Sequence, residues 1–496
     1  MESVSHFIGG RHVRSTLLKT FGAADPATGK EYAQIAIGLA ADINQAVLAA
    51  QAALETGPWP GMAAPDRARV LHGIADAIDS RAGDIAAAEA LGTGLPVTQA
   101  REQAVRASEL FRLAAGLITA RAADDGSSAL GRSSYVARRP AGVAGLITPW
   151  RTPFLAQARA LAPALAAGCT VVLKPDEWAP LPAALLAEIT TAAGLPAGVL
   201  NVVHGARHPR APGTQARDAL IAHPAVARLW FAGEAAARQQ VMLEAATHRK
   251  DLAAELAGTS PCLIFADADL DQATDAALFG AFALNGQRAT ATSAILAQRP
   301  IYDDLVSRLA NWAGRIRVGD PSDPSTQIGP LVHAEHWKKV TSSVRAAVRD
   351  GARMVAGGTR PAGLAEGNYL EATVLSDVTP SMQIFQEHIC GPVVRVTPFD
   401  TDQEAVSLAS AIKDAPAAYI WTSDLQRAHR LAPELDSAHT WVNSYNPRDL
   451  QTPSAGPRPD GLGAQDGPGS IDIDFYTQSW AVHIAADDRP VPGLGA

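Results

Sequence analysis

The fold can be predicted from the stretch Pro140-Ala141-Gly142-Val143-Ala144-Gly145-Leu146-Ile147-Thr148-Pro149-Trp150. Residues 143–147 form a short apolar run between segments that contain glycine and proline, a pattern typical of a buried strand. Further strand candidates follow at 170–173, 200–203, 229–231 and 252–255, and helical patterns at 154–167 and 182–193 lie between them. Strands that alternate with helices favour a parallel, doubly wound α/β sheet.

The rest of the chain divides into a helical start and a second α/β series. Helical patterns are predicted at 41–55, 65–91 and 97–120, and a second strand–helix series begins at Cys262 and runs to about Asn443. Between these regions, residues 121–139 carry turn residues and extended stretches, and residues 475–484 are predicted to form a strand. Open strand edges need partners, so we expect these two segments to take part in an assembly.

Composition excludes several classes of function. The chain has 496 residues, of which 47% are hydrophobic, and a net charge of −8, so sizeable cores are possible and nucleic acid is not an expected partner. No apolar run approaches the roughly 20 residues of a membrane span, and the N-terminus does not have the order of a signal peptide. Three cysteines lack the spacing of metal ligands. We expect a soluble, cytoplasmic protein without a metal or a membrane partner.

From about Phe7 to Ile484, the sequence resembles the NAD(P)-dependent aldehyde dehydrogenases. The match includes residues 140–150, residues 161–175, and two shorter segments around Glu255 and Ala289. The resemblance implies a Rossmann-type dinucleotide-binding domain at 1–120 and 140–254, and a catalytic-type α/β domain at 255–469. It also implies a bridging oligomerisation sheet at 121–139 and 470–496, and therefore a homodimer or homotetramer.

The resemblance also assigns positions to the reaction, and two of them hold unusual residues. Glu255 matches the family's general base and precedes Ala289 by 34 residues, the spacing that the family keeps between base and nucleophilic cysteine. An alanine methyl cannot form a covalent intermediate with a carbonyl. Arg151 follows Trp150, where the family has the asparagine of the oxyanion hole. Arg151 is expected either to enter the substrate channel, where it can pair with Glu255, or to point into solvent.

The cofactor positions are preserved in part. Lys174 matches the lysine that binds the adenosine ribose hydroxyls, and Glu177 matches a glutamate that often favours NAD over NADP. Both can equally be ordinary surface charges. Gly233 keeps the first glycine of the pyrophosphate motif, but Glu234 follows it, and a carboxylate there repels phosphate. His388 replaces the glutamate that holds the nicotinamide ribose. From these changes we expect NAD to bind weakly or not at all.

Three interpretations therefore remain open. The first is a catalytically impaired pseudoenzyme with a structural or regulatory role, which is compatible with a protein partner, because independent site residues have changed together. The second is an active enzyme of altered aldehyde or acyl chemistry that uses Glu255 as base and Arg151 as anion anchor, with Cys390 as the thiol nearest the site. The third is an ordinary dehydrogenase in which cysteine 289 was changed to alanine by design. The sequence favours the first.

Overall fold

The computed structural model describes residues 2–120, 128–129, 132–205, 215–255, 258–412, 415–445 and 473–485. The Pro- and Gly-rich loop predicted at 447–469 lies outside them. Up to residue 255 the elements are β1 (Glu2–Val4), β2 (His6–Ile8), β3 (Arg11–Val13), β4 (Thr20–Ala24), β5 (Glu31–Ala36), α1 (Ala40–Glu55), α2 (Ala64–Ser80), α3 (Ala82–Thr93), α4 (Val97–Ala120), β6 (Ser128–Ala129), β7 (Arg132–Pro140), β8 (Val143–Ile147), α5 (Pro153–Ala166), β9 (Thr170–Lys174), α6 (Pro180–Ala192), β10 (Leu200–Val202), α7 (Gln215–Ala222), β11 (Val226–Ala232), α8 (Ala235–Thr247) and β12 (Asp251–Glu255).

The second series begins six residues later. Its elements are β13 (Pro261–Ile264), α9 (Leu270–Phe282), β14 (Ala294–Gln298), α10 (Tyr302–Ala313), α11 (Ala334–Arg349), β15 (Arg353–Ala356), β16 (Thr373–Ser376), α12 (Gln383–Gln386), β17 (Val393–Phe399), α13 (Asp402–Ser410), β18 (Ala418–Trp421), α14 (Leu425–Leu431), β19 (Thr440–Val442) and β20 (Thr477–Ala485).

The first large sheet has seven strands in the order β12-β11-β8-β9-β10-β2-β3. The five strands from β12 to β10 are parallel, and β2 and β3 extend the sheet as an antiparallel hairpin. Every residue of β8 and β9 is buried, which explains their unbroken apolar runs. The chain order reverses between β8 and β11, and ligands of such sheets bind at the carboxyl ends of the strands beside that reversal. The predicted doubly wound fold is confirmed.

The second large sheet also has seven strands, in the order β15-β16-β17-β14-β13-β18-β19. All of its pairings are parallel except that of β15 with β16. A small sheet of β1, β5 and β4 packs near the N-terminus. The division of the chain into domains at residues 120, 140, 254 and 469 stays a prediction.

The predicted bridging strands pair with each other. β20 runs antiparallel to β7 over nine residue pairs, from Thr477 opposite Pro140 to Ala485 opposite Arg132. Large apolar side chains on this ribbon are exposed: Tyr135, Val136, Trp480 and Ile484. The ribbon leads directly into β8, so it is anchored to the first large sheet. Assembly through it stays a prediction.

The single helix predicted at 65–91 is wrong. The structure has two helices, α2 and α3, separated at Arg81, whose φ and ψ of −107° and 16° are outside the helical range. Both helices pack against α4, and α3 also packs on α6. The apolar spacing continues across Arg81, so tertiary packing rather than local sequence decides the break. No helix in the described residues is long and apolar enough to cross a membrane.

Candidate active site

A strained turn carries residue 289. After α9 ends at Phe282, Leu284, Asn285 and Gly286 have φ values of 56°, 59° and 64°. Successive left-handed residues are unfavourable when they have side chains, and such strain persists where the surroundings enforce it. At Gly286 a Cβ would lie 2.1 Å from the carbonyl oxygen of Gly391, so only glycine fits there.

The Asn285 side chain holds this turn in place. Its Nδ2 donates to the carbonyl oxygens of Gly94 at 2.9 Å and Pro330 at 3.1 Å, and its Oδ1 accepts from the amide of Gly329 at 2.7 Å. Asn285 is fully buried, so these bonds satisfy groups that would otherwise be costly to bury. The turn is therefore a rigid support for the residues that follow it.

Ala289 follows the turn and is half-buried at the wall of a pocket. The pocket is lined by Gln103, Arg106, Pro149, Arg151, Thr152, Leu155, Ala156, Arg159, Ala232, Gly233, Glu255, Leu284, Arg288, Ala289 and Thr290. The structure thus brings together four predicted site residues: Arg151, Gly233 and Glu255 lie at or just after the carboxyl ends of β8, β11 and β12, and Ala289 lies on the segment that follows α9.

Arg151 points into the protein and does not reach Glu255. It is 8% exposed, its Nη1 lies 3.7 Å from the Cys390 Sγ, and its Nη2 donates to the Gly233 carbonyl oxygen at 3.4 Å. Its guanidinium carbon is 5.7 Å from the centre of the buried Trp150 ring. The alternative that Arg151 swings into solvent is therefore wrong, and so is its pairing with Glu255.

Glu255 pairs instead with Arg159, a residue that the sequence reasoning missed. The Glu255 Oε2 and the Arg159 Nη1 are 2.9 Å apart, and the two side chains are 30% and 19% exposed. Arg159 lies on α5, and one face of this helix lines the pocket through Leu155, Ala156 and Arg159, together with Thr152 just before the helix. The three helix residues follow Thr152 by three, four and seven positions. This helical spacing is the signal that could have identified Arg159.

The pocket carries a surplus of positive charge. Arg106, Arg151, Arg159 and Arg288 line it, together with one carboxylate, Glu255. Within the described chain only Arg159 of these four has an ion-pair partner. Arg288 stacks on the Tyr445 ring at 5.3 Å, which leaves its charge available. A partly enclosed pocket lined by unneutralised arginines attracts anions, above all carboxylates.

Of the predicted cofactor residues, Gly233 lines this pocket, whereas Lys174 and Glu177 do not. Lys174 ends β9, and its Nζ is 2.8 Å from the Glu177 Oε2 in a largely buried pair. Glu234 precedes α8 and is exposed, and its side chain accepts no hydrogen bond from the first turn of that helix. At Gly233 a Cβ would lie 2.4 Å from the Phe231 ring. A polar pair at the end of a strand fits a ribose. A helix N-terminus whose amides are not capped by a side chain fits a diphosphate.

His388 is half-buried, and the three cysteines are buried. Burial lowers the pKa of His388 to about 3, so the ring is neutral, and its Nδ1 lies 3.4 Å from the Thr259 Oγ1. Burial raises the pKa of Cys390, although Arg151 acts in the opposite direction. The pKa values of Cys169 and Cys262 are raised by burial to about 11 and about 12. The structure describes all three thiols, and none of them lines the pocket.

Comparisons with known proteins identify relatives over almost the whole chain. The model of the aldehyde dehydrogenase family matches residues 12–482. A 2-hydroxymuconic semialdehyde dehydrogenase of a Pseudomonas species is 38% identical over 96% of this chain and 98% of its own. The 5-carboxymethyl-2-hydroxymuconate semialdehyde dehydrogenase of Escherichia coli is 40% identical over 92% and 97%.

Solved structures agree with these relatives. HpcC of Thermus thermophilus has a TM-score of 0.93 and 40% identity, with 100% of this chain and 95% of that chain covered. Betaine aldehyde dehydrogenase of Staphylococcus aureus in complex with NAD⁺ has a TM-score of 0.94 and 31% identity, with 100% and 97% covered.

These relatives correct the functional prediction. The similar proteins are named as dehydrogenases, so the interpretation of the chain as an impaired pseudoenzyme is overturned. Structures of similar proteins with NAD⁺ give no support to the expectation of weak or absent NAD binding. The joint changes at the nucleophile, oxyanion, diphosphate and ribose positions had favoured an impaired enzyme. The spacing of motifs did not indicate that Ala289 and Arg151 share a pocket with three further arginines.

Proposed function

Because the chain belongs to the aldehyde dehydrogenase family, we propose that it oxidises a semialdehyde bearing carboxylate groups, with Glu255 as the general base. The observation that carries this proposal is the pocket around residue 289, in which Arg106, Arg151 and Arg288 have no carboxylate partner in the described chain. Arginine binds carboxylates through two parallel hydrogen bonds. The names of two relatives describe semialdehydes of muconic acids, which fit such a pocket.

The absence of a thiol at residue 289 determines the course of the reaction. Without a nucleophilic side chain, the substrate reacts as its hydrate, in which water has added to the aldehyde carbon. Glu255 takes the proton from one hydroxyl of the hydrate, and the carbon gives up its hydrogen as hydride while the carboxylic acid forms. The guanidinium of Arg151 stabilises negative charge on the substrate oxygen. This assignment matches the second of the three sequence interpretations.

Bound NAD supplies the hydride acceptor of this reaction. Lys174 and Glu177 are proposed to hold the adenosine ribose, and Gly233 to allow close approach of the diphosphate. Trp150 and His388 are proposed to flank the nicotinamide end, since both lie near Arg151. A relative solved with NAD⁺ supports this assignment.

Steady-state assays of NADH formation test the proposal. With the purified protein, we expect kcat/KM for 2-hydroxymuconic semialdehyde to exceed that for an uncharged aldehyde of similar length by about tenfold or more, because an arginine–carboxylate contact contributes roughly 1.5–3 kcal/mol. Glu255→Gln should lower kcat by roughly 10²-fold, since it removes the base. The proposal would be contradicted if neither substrate gave NADH, or if the uncharged aldehyde were turned over faster than the semialdehyde.

A further inference from the structure

We propose that the Arg159–Glu255 ion pair is a latch operated by the substrate. In the absence of an anion, Arg159 holds the carboxylate of Glu255, and a carboxylate of the substrate releases it by taking its place on Arg159. This inference rests on the proposed function, because it assigns to Glu255 the role of base. It adds a specificity-determining role for Arg159 and explains how the pocket distinguishes charged from uncharged aldehydes.

The contact itself orients the base towards Arg159. The Oε2 of Glu255 accepts a hydrogen bond from the Nη1 of Arg159 at 2.9 Å. While this bond holds the carboxylate in one orientation, Oε2 is directed at the guanidinium and not at a substrate hydroxyl. Both side chains are less than one-third exposed, so water competes poorly for this pair. An uncharged aldehyde has no group that can replace Glu255 on Arg159.

The guanidinium of Arg159 is incompletely satisfied in this arrangement. Glu255 accepts from Nη1 alone. A carboxylate can accept from the two terminal nitrogens of an arginine, Nη1 and Nη2, at the same time. A substrate carboxylate that binds in this way satisfies a donor that Glu255 leaves unpaired. The exchange therefore gains a hydrogen bond, which favours the released state of the base.

The remaining charges of the pocket support the exchange. Arg106, Arg151 and Arg288 face the same space without carboxylate partners in the described residues, so they attract an incoming anion. Once Glu255 is released it still lies in the pocket wall, at the end of β12 and near residue 289. The latch thus places the base and the substrate together only when an anion has bound.

Kinetics with and without an added anion test the latch. With wild-type protein, a short non-reacting carboxylate such as propionate should raise kcat for an uncharged aldehyde about tenfold, and Arg159→Gln should show the raised rate without it. Arg101→Gln, at an exposed position on α4, serves as the matched control and should behave as wild type. If Arg159→Gln lowers kcat for charged and uncharged aldehydes by the same factor, Arg159 only positions the base and the latch is refuted.

Calorimetry tests the exchange without any turnover. Glutarate, a non-reacting dicarboxylate, should bind Glu255→Gln about tenfold more tightly than wild type, and Arg159→Gln more weakly. In the double variant the gain from Glu255→Gln should vanish, because no latch remains to be opened. A gain that persists in the double variant would come from charge repulsion alone and would overturn the latch. Glutarate binding as expected in a protein without dehydrogenase activity would refute the proposed function and leave the exchange intact.

Discussion

The single residue that most changes the chemistry of this protein is Ala289. The left-handed turn at Leu284–Gly286 and the three hydrogen bonds of Asn285 still hold residue 289 at the pocket wall, so the support for a nucleophile is intact. The side chain itself has become a methyl group. In the reaction that we propose, charge from Arg151 and the neighbouring arginines acts in place of covalent chemistry.

Restoring a thiol at this position should produce a reactive cysteine. In Ala289→Cys the new thiol lies among arginines, which lower a thiol pKa, so iodoacetamide should alkylate it at least about tenfold faster than any native cysteine. Burial raises the pKa values of Cys169 and Cys262 to about 11 and about 12, so they should remain unmodified near pH 7. Peptide mass spectrometry after timed quenching measures the rates. Equal labelling of the variant and the wild type would show that residue 289 does not face the pocket.

Among the elements, α5 connects the core of the first sheet to the active site. Its N-terminus follows Thr152, a β-branched residue with φ of 38°, and the amide of Phe154 in its first turn donates to the Glu89 Oε1 at 2.8 Å. Glu89 lies on α3 and is fully buried, and its Oε2 has no partner in the described chain. A buried carboxyl therefore holds the start of the helix that carries Arg159.

This contact predicts a dependence of stability on pH. Burial raises the pKa of Glu89 from its usual 4.5 to about 8, so between these values the folded protein binds more protons than the unfolded chain, and stability falls as the pH rises. Glu89→Gln removes this loss and keeps the acceptor for Phe154. Its advantage over wild type in the free energy of unfolding should grow by up to about 1.4 kcal/mol per pH unit between pH 5 and pH 8.

Urea unfolding at several pH values, with Glu188→Gln as an exposed control, measures that advantage. Glu188 pairs with Arg81 at the surface, where a salt bridge contributes roughly 0–1 kcal/mol. A difference between Glu89→Gln and wild type that stays constant from pH 5 to pH 8 would contradict the prediction.

For the whole molecule, the ribbon of β7 and β20 presents apolar side chains that the described chain does not cover. Trp480 is 45% exposed and Ile484 is 49% exposed. If the ribbon is the contact between subunits, as the predicted homodimer or homotetramer requires, Trp480→Ser with Ile484→Ser should shift the assembly to a smaller species. Light scattering coupled to size exclusion measures the mass, and Gln478→Ala on the same strand is the control. An unchanged mass would exclude this ribbon as the main interface.

The sequence by itself determined the fold. The strand Val143–Ile147 was predicted with its observed bounds, because a short run that is buried on both faces has to be apolar throughout. The resemblance of the motifs around Glu255 and Ala289 assigned these positions to base and nucleophile, and their roles stay a prediction. Helix breaks such as that at Arg81 were not predictable, because the apolar pattern is the same whether one helix or two pack on α4.

Only the tertiary structure decided the partners of the charged side chains. Arg159 and Glu255 are 96 residues apart and meet because α5 passes the carboxyl end of β12. Arg151, which the sequence pairs equally well with Glu255 or with solvent, turns towards Cys390 and Gly233. A long guanidinium side chain can reach many positions, so which carboxylate it meets depends on how distant elements pack. The gathering of four arginines in one pocket, and hence the class of substrate proposed, follows from that packing.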